Sequence, residues 1–523
     1  MSAEVVTCAV GIFDCAVKDD DATCAPYNDK YWSLQSSEWM LVFGFIVMAG
    51  MAWQVGANDV ANAFGTSVGS RAISCRTACL MGGAANWLGA VTLGYGVSST
   101  IQSGVAKVSD ENCWACGYCD SQISVYALGM LAALFGGAFF MFAATHYAMP
   151  VSTTHAIVGG IIGVTTIGVG GHCLNWDFEN GLAGIVSSWA TSPVLSGIAG
   201  IIIYLGTHYT IMGSKHKVRN ALWSVPILYG LSTFFVFFMI FLDAIATQSL
   251  NKGIMAGASA ACSLVVAGIT QIFLVPYIRE RLPSKTGNFL VEDEEDDEDL
   301  YEQHSLVMTP DINGDKVPTI VEDGSRLSDS SVMSEADAHL FAEMGRLTGE
   351  EKDAMFIFRY LLVMVATLES FAHGANDTAN ATAPVAALFN IYDNGFGGCS
   401  NLDTPVWIMA IAGCFVCLGI IFQGAPVMET IGKRISHVDM HRGFAMELSS
   451  AVTVVIATLL KLPVSTTHCE VGSVVFVSLI NPGWRKMSFP MMGKIFLSWL
   501  LTVPTAGVIS AFLTMIFRSY VRN

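Results

Sequence analysis

The stretch Gly56-Ala-Asn-Asp-Val-Ala-Asn-Ala-Phe-Gly65 returns, slightly altered, as Gly374-Ala-Asn-Asp-Thr-Ala-Asn-Ala-Thr-Ala383. A second string, Pro-Val-Ser-Thr-Thr-His, occurs at Pro150 to His155 and again, unchanged, at Pro463 to His468. The two pairs recur in the same order and at nearly the same separation, which marks an internal repeat. Each string is polar yet set in apolar sequence, where polar groups are expensive and are kept for function. The expectation is two copies of one helical unit that together build a polar site inside a membrane.

Composition agrees. Hydrophobic residues make up 53% of the 523 and charged residues 13%, too apolar for a soluble domain. The net charge of -17 is concentrated between Glu280 and Asp353, around an unbroken acidic run from Glu292 to Asp299. The rest is close to neutral, which leaves no basic surface for a nucleic acid. Met1 to Ser37 is polar and lacks the apolar core of a cleavable leader. No Cys/His metal set or nucleophile–base pair falls on a water-accessible domain, so an enzyme is not expected.

Apolar runs of membrane length read from about Trp39 to Ala57, Ala78 to Thr100, Ile123 to Met149, Val151 to Val169, Leu182 to Leu205, Leu222 to Leu242 and Gly253 to Ile278. After the acidic gap come Phe356 to Phe389, Val406 to Met428, Phe444 to Leu460, Val464 to Ile480 and Met492 to Phe517. The fold class predicted is therefore an all-α integral membrane protein of about 12 segments. It divides into an extracellular segment (1–37), a first repeat (38–206), two connecting helices (207–279), an acidic disordered cytoplasmic loop (280–355), a second repeat (356–517) and a short tail (518–523). Basic residues at Arg71, Arg76, Lys215, Lys217, Arg219, Lys433, Arg434, Arg442, Arg485 and Lys486 fall on one side if segments alternate, which makes that side cytoplasmic. Asp110, Glu111, Asp120, Asp177, Glu179, Asp393 and Asp403 fall on the other, with both termini. Arg518 and Arg522 dissent. Equivalent segments are an odd number apart, so the two five-segment repeats are inverted. Eight cysteines (Cys8, Cys15, Cys24, Cys113, Cys116, Cys119, Cys173 and Cys399) are placed outside, where disulfides form, with connectivity unreadable. The other six are expected to be packing residues. Ser328, Ser330, Ser331 and Ser334 beside acidic residues form a context for acid-directed phosphorylation of the loop.

In the first string Asp59 and Asn62 share a helix face, as do Asp377 and Asn380. Carboxylate with carboxamide is an oxygen-rich set suited to a hard cation. Gly56 and Gly374 are expected to let the helix unwind and free carbonyls as further ligands. In the second string, Pro followed by Ser and Thr is a helix-start signal. Helices beginning at Ser152 and Ser465 would aim free N–H groups and hydroxyls at a phosphate-like oxyanion. With two or three residues between the flanking apolar runs, the strings read as tips of re-entrant hairpins. His155 and His468 are expected to support those tips.

These four motif copies resemble the inorganic phosphate transporter family of sodium–phosphate symporters. The resemblance implies a homodimeric plasma-membrane carrier with external termini and no enzymatic cofactor. It implies sodium around Asp59, Asn62, Asp377 and Asn380, with Asn58 and Asn376 beside them. It implies phosphate near Ser152, Thr153, Thr154, Ser465, Thr466 and Thr467, and a role for His373. One departure stands out. The family commonly has a glutamate in each half; Glu447 matches the second, but Asn86 stands at the place read as the first. Coupling by sodium is thus set against coupling by protons, and transport against a phosphate sensor with slow turnover.

Overall fold

The computed structural model describes residues 13–18, 21–26, 38–110, 112–115, 122–178, 181–243, 250–286, 306–310, 316–320, 346–394, 403–436, 438–460 and 464–521. Its body is helical. In chain order the long elements are α1 (Glu38–Gly69), α2 (Cys75–Gly104), α3 (Ile123–His146), α4 (Thr153–Gly168), α5 (Leu182–Thr207), α6 (Lys217–Asp243) and α7 (Lys252–Glu280). They continue as α8 (Gly349–Asn394), α9 (Val406–Gln423), α10 (Met440–Leu459), α11 (Thr466–Ser478) and α12 (Phe489–Val521). Among the described residues, nine helices are long and apolar enough to cross a membrane. The helices outside that set are α2, with a less apolar sequence, and the short α4 and α11.

Local chemistry sets the helix starts. Ser74 accepts from Thr77 N at 3.3 Å to cap α2. Asp439 accepts from Arg442 N at 2.8 Å to cap α10. Ahead of α8, Thr348 N donates to Glu351 Oε2 at 3.0 Å, and the Thr348 hydroxyl donates to the same oxygen at 2.9 Å. Side chains of this kind replace the partners that a helix end lacks. This last cap starts α8 at Gly349, ahead of the apolar run. It therefore lies inside the stretch expected to be a disordered loop, as does the short helix Pro283–Thr286.

Two antiparallel hairpins depart from the all-α expectation. Phe13–Lys18 pairs with Asp21–Pro26, and Leu306–Pro310 with Lys316–Ile320. The second lies within the acidic linker. The acidic run and the four linker serines lie outside the described residues.

The helices of the two motif-bearing halves are interlocked. α1 packs along α9 and α3, whereas α8 packs along α2 and α10. α12 runs against α3 and α4, while α5 runs against α10 and α11. Each hairpin is thus flanked by the last helix of the other half. Polar side chains gather at the centre, and apolar ones face outward, for instance Leu264, Ile272 and Phe273 on α7 and Phe496 and Val508 on α12. That distribution suits a lipid surround.

The helix breaks expected at Gly56 and Gly374 are absent: α1 and α8 run unbroken through both. The glycines serve close approach instead. A Cβ at Gly56 would lie 2.0 Å from Val416 O on α9, and one at Gly374 would lie 1.9 Å from Asn86 O on α2. Interhelical packing of small residues at this range is how helices associate without a hydrophobic drive between them.

Arg442, counted above with the loop charges, is 1% exposed and pairs with Asp439 at 2.7 Å. It fixes the start of α10 and offers no charge to the membrane surface. Of the eight cysteines expected outside, Cys113 and Cys173 form a disulfide. The other six lie outside the residues whose side chains are described. Cys79, Cys262, Cys414, Cys417 and Cys469 are free thiols.

Candidate functional site where two hairpin tips meet

The repeated strings converge. α4 and α11 start at the two tips, each capped by its own serine: Ser152 Oγ accepts from His155 N and Ser465 Oγ from His468 N, both at 3.2 Å. The tips are laced together by their threonines. Thr154 Oγ1 donates to Val464 O at 3.1 Å, and Thr467 Oγ1 donates to Val151 O at 3.0 Å. The first-turn N–H groups of both helices, which no helix satisfies internally, therefore lie at one place.

The Gly-Ala-Asn-Asp helices close on these tips crosswise. From α1, Asn62 Nδ2 donates to Thr467 Oγ1 at 3.0 Å and reaches Thr466 Oγ1 at 3.5 Å. From α8, Asn380 Nδ2 donates to Thr153 Oγ1 at 2.9 Å and to Thr154 Oγ1 at 3.3 Å. Each asparagine thus holds the tip of the opposite half. Thr153 Oγ1 also stands 3.4 Å from both Asp59 Oδ2 and Asp377 Oδ1, so one hydroxyl lies between the two carboxylates. Both aspartates are 1% exposed.

Hydrogen-bond accounting separates two kinds of ligand. Asn62 Oδ1, Asn380 Oδ1 and Asp377 Oδ2 are buried acceptors with no hydrogen-bond partner. Buried orphans of this type are rare unless something else fills them, and oxygen-only acceptors fit a hard cation. The tips, by contrast, offer donors: first-turn N–H groups and the protons of Ser152 and Ser465, with the hydroxyls of Thr153 and Thr466 turned to the aspartates. The hydroxyl protons of Thr154 and Thr467 are already committed to the opposite tip, which leaves those residues only their backbone N–H groups toward a ligand.

The remaining site residues form a surround. Asn58 donates to Met149 O at 2.9 Å and to Thr145 Oγ1 at 3.2 Å, and accepts from Val151 N at 3.0 Å. It therefore clamps the tip of its own half. Asn376 approaches Thr458 Oγ1 at 3.4 Å in the corresponding place. The His155 and His468 rings lie 4.5 Å apart. His155 packs on Trp189 and His468 on Trp499, both at 3.9 Å, and His468 Nδ1 contacts Trp189 O at 2.9 Å. His373 Nε2 stands 3.4 Å from Glu369 Oε1. Asn86 and Glu447 do not occupy corresponding places. Asn86 lies on α2 against Gly374, whereas Glu447 lies on α10, the helix that leads directly into the second tip.

Fold and site together define a multi-pass membrane protein with a buried polar centre built by two facing hairpin tips. The family model described as "Phosphate transporter family" matches residues 55–510. The chain belongs to that family. It is 32% identical over 476 residues to a putative phosphate permease of Pyrococcus abyssi, covering 90% of this chain and 96% of that protein. It is 28% identical to the phosphate-repressible phosphate permease pho-4 of Neurospora crassa, with 91% and 97% covered. To sodium-dependent phosphate transporter 1 of Mus musculus it is 26% identical, with 95% and 97% covered. A solved structure titled "The sodium-dependent phosphate transporter" superposes with a TM-score of 0.71 at 28% identity, covering 92% of this chain and 99% of that one.

Sequence reading passed over Glu369, Glu470, Thr66 and Ser450. None lies in a repeated string, so repetition gave no signal. Glu369, His373 and Asp377 do share one face of α8 at four-residue spacing, a pattern that could have drawn attention to Glu369.

Proposed function

We propose that this protein imports inorganic phosphate together with sodium by alternating access, across a plasma membrane in which both termini face outward. The reading takes the two five-segment halves as inverted repeats, the short α4 and α11 as re-entrant, and the functional unit as a homodimer. Phosphate is bound between the tips by Ser152, Thr153, Ser465 and Thr466, with backbone N–H groups from Thr154 and Thr467. Sodium is bound by Asp59, Asn62, Asp377 and Asn380. The observation that carries this is the crosswise arrangement: each Gly-Ala-Asn-Asp helix grips the opposite tip and leaves orphan oxygens beside donor groups. The names of the relatives support phosphate as cargo, and several support sodium.

Charge explains why the two ligands belong together. A phosphate dianion beside two aspartates is a buried cluster of like charge, costly in a low-dielectric interior. Two sodium ions neutralise the dianion and screen it from Asp59 and Asp377. Each ligand then raises the affinity for the other, as linkage requires.

The test is phosphate uptake into proteoliposomes at fixed pH with sodium replaced by choline. Uptake is expected to fall to the level of protein-free vesicles. Uptake that persists with choline and follows an inward proton gradient would replace sodium by protons. Binding of phosphate with no turnover in either medium would make the protein a sensor.

A further inference from the structure

Every fourth residue along one face of α7 is exposed: Ile269 at 52%, Phe273 at 69% and Tyr277 at 45%, followed by Arg281 one residue past the helix end. Apolar, apolar, tyrosine, arginine is the order in which a lipid-facing stripe passes from acyl chains to headgroups. Arg281 stands over the Tyr277 ring, 3.7 Å from its centre. A second arginine arrives from α8. Arg359 lies about one turn inside the apolar run that begins at Phe356, half-buried, with its guanidinium group 5.7 Å from the Phe356 ring and 6.0 Å from the Tyr360 ring. Tyr360 meets Tyr277 edge to face at 6.4 Å, and the Tyr229 hydroxyl of α6 donates to Tyr360 O at 3.0 Å. Three helices thus gather two arginines around one pair of tyrosines at the membrane boundary.

Arginine at this depth is costly without an anion to compensate it. Among the described residues the protein supplies none. Neither arginine closes an ion pair there, and the carboxylates in the first turns of α8 are committed elsewhere: Glu351 to Lys217 at 3.8 Å, and Asp353 to Ser284. Glu280 and Glu350 are exposed and pair with neither arginine. Stacking on an aromatic ring orients a guanidinium group while leaving its fork of N–H donors open. Such a fork matches phosphate oxygens, which it can bind two at a time. Two positive charges favour a headgroup of net negative charge over a zwitterionic one. The apolar stripe leading up to Arg281 gives acyl chains a surface to lie on, which a free phosphate ion would leave unused.

We propose that Arg281 and Arg359, framed by Tyr277 and Tyr360, bind the phosphate-bearing headgroup of an anionic phospholipid, whose chains run along the exposed face of α7. The lipid would bridge the end of α7 to the start of α8, the helix that carries Asp377. The inference does not depend on phosphate or sodium being the cargo, and its test does not read uptake.

The experiment uses the full-length protein in detergent, with native mass spectrometry counting bound phosphatidylglycerol and, separately, phosphatidylcholine. One phosphatidylglycerol per chain should be retained at concentrations where phosphatidylcholine is not, and excess inorganic phosphate should fail to displace it. Arg281→Gln and Arg359→Gln should each weaken that binding about fivefold, and together more than about twentyfold. Arg485→Gln, on the connection between α11 and α12, should leave it unchanged. Thermal unfolding supplies a second reading that also checks folding. Phosphatidylglycerol should raise the melting temperature of the wild type, whereas the double variant should melt like the wild type in phosphatidylcholine yet lose that rise. Equal retention of the two lipids, or binding unchanged in both glutamine variants, overturns the proposal. Displacement by inorganic phosphate would make this a free-anion site and overturn it too. So would glutamine variants that change the oligomer mass and not the lipid count, since a second copy of the chain would then cover this face.

Discussion

Asp59 and Asp377 face each other across Thr153, so each carboxylate supplies charge that an amide of the same shape cannot. Asp59→Asn and Asp377→Asn should each reduce sodium-dependent uptake at least about 100-fold with normal surface abundance, on the scale of about 3–5 kcal/mol for losing one partner of a buried ionic contact. Uptake by both variants at wild-type rates would remove these residues from the mechanism. In the proposed mechanism the tip serines act on the other ligand. Ser152→Ala and Ser465→Ala each delete a hydroxyl proton aimed at a charged group, worth about 1.5–3 kcal/mol. The half-saturating phosphate concentration should therefore rise tenfold or more, while sodium activation shifts less. Thr154→Val and Thr467→Val should behave differently, since those hydroxyls bond Val464 O and Val151 O. Their expected effect is lower thermal stability with phosphate affinity little changed, which melting and binding measurements on the same preparations separate. At this scale the sequence was informative wherever a residue was repeated. It was silent on Glu470, which occurs once and meets Glu447 only through the packing of α10 and α11, and it marked Glu369 only by its spacing from His373 and Asp377.

Helices were legible from apolar runs because lipid demands them, and the starts of α4 and α11 were legible from their serine caps. What the sequence left open was how the helices cross. The Gly-Ala-Asn-Asp glycines read equally as helix breaks or as contact points, and local sequence cannot choose between them. The crossing partner decides: Val416 O and Asn86 O occupy the space that a Cβ would need. Gly56→Ala and Gly374→Ala should therefore push α1 from α9 and α8 from α2. Overpacking of this kind costs about 1–3 kcal/mol or more, and here the displaced atoms are backbone, which cannot rotate aside. Both variants should show a lowered melting temperature and reduced surface expression. If either melted like wild type while losing sodium dependence, the glycine would be acting on the ion and not on the crossing.

In the whole molecule, the acidic linker and the helical body obey different physics. The run from Glu292 to Asp299 repels itself and has no apolar face with which to join a membrane core. The linker's ends, however, are tied down. Asp353 accepts from Ser284 N at 2.9 Å and from Ser284 Oγ at 2.6 Å, joining the end of the first seven helices to the start of α8. Sequence alone set the linker boundaries too wide for this reason: Ser284 and Asp353 sit in polar, charged surroundings that look like loop, and only their contact shows that they are structure. Deleting Glu292 to Ser334, which removes the hairpin Leu306–Ile320 with the acidic run, should leave phosphate uptake within about twofold of wild type, because the latch and the tip site are untouched. Asp353→Ala in the intact chain should be more harmful than that deletion, since it strips both bonds from Ser284 at a cost of roughly 1–3 kcal/mol and unpins α8, which carries Asp377. Uptake corrected for surface abundance compares the two variants directly. Loss of uptake in the deletion with normal abundance, and its retention in Asp353→Ala, would reverse the assignment and make the acidic segment part of the transport machinery.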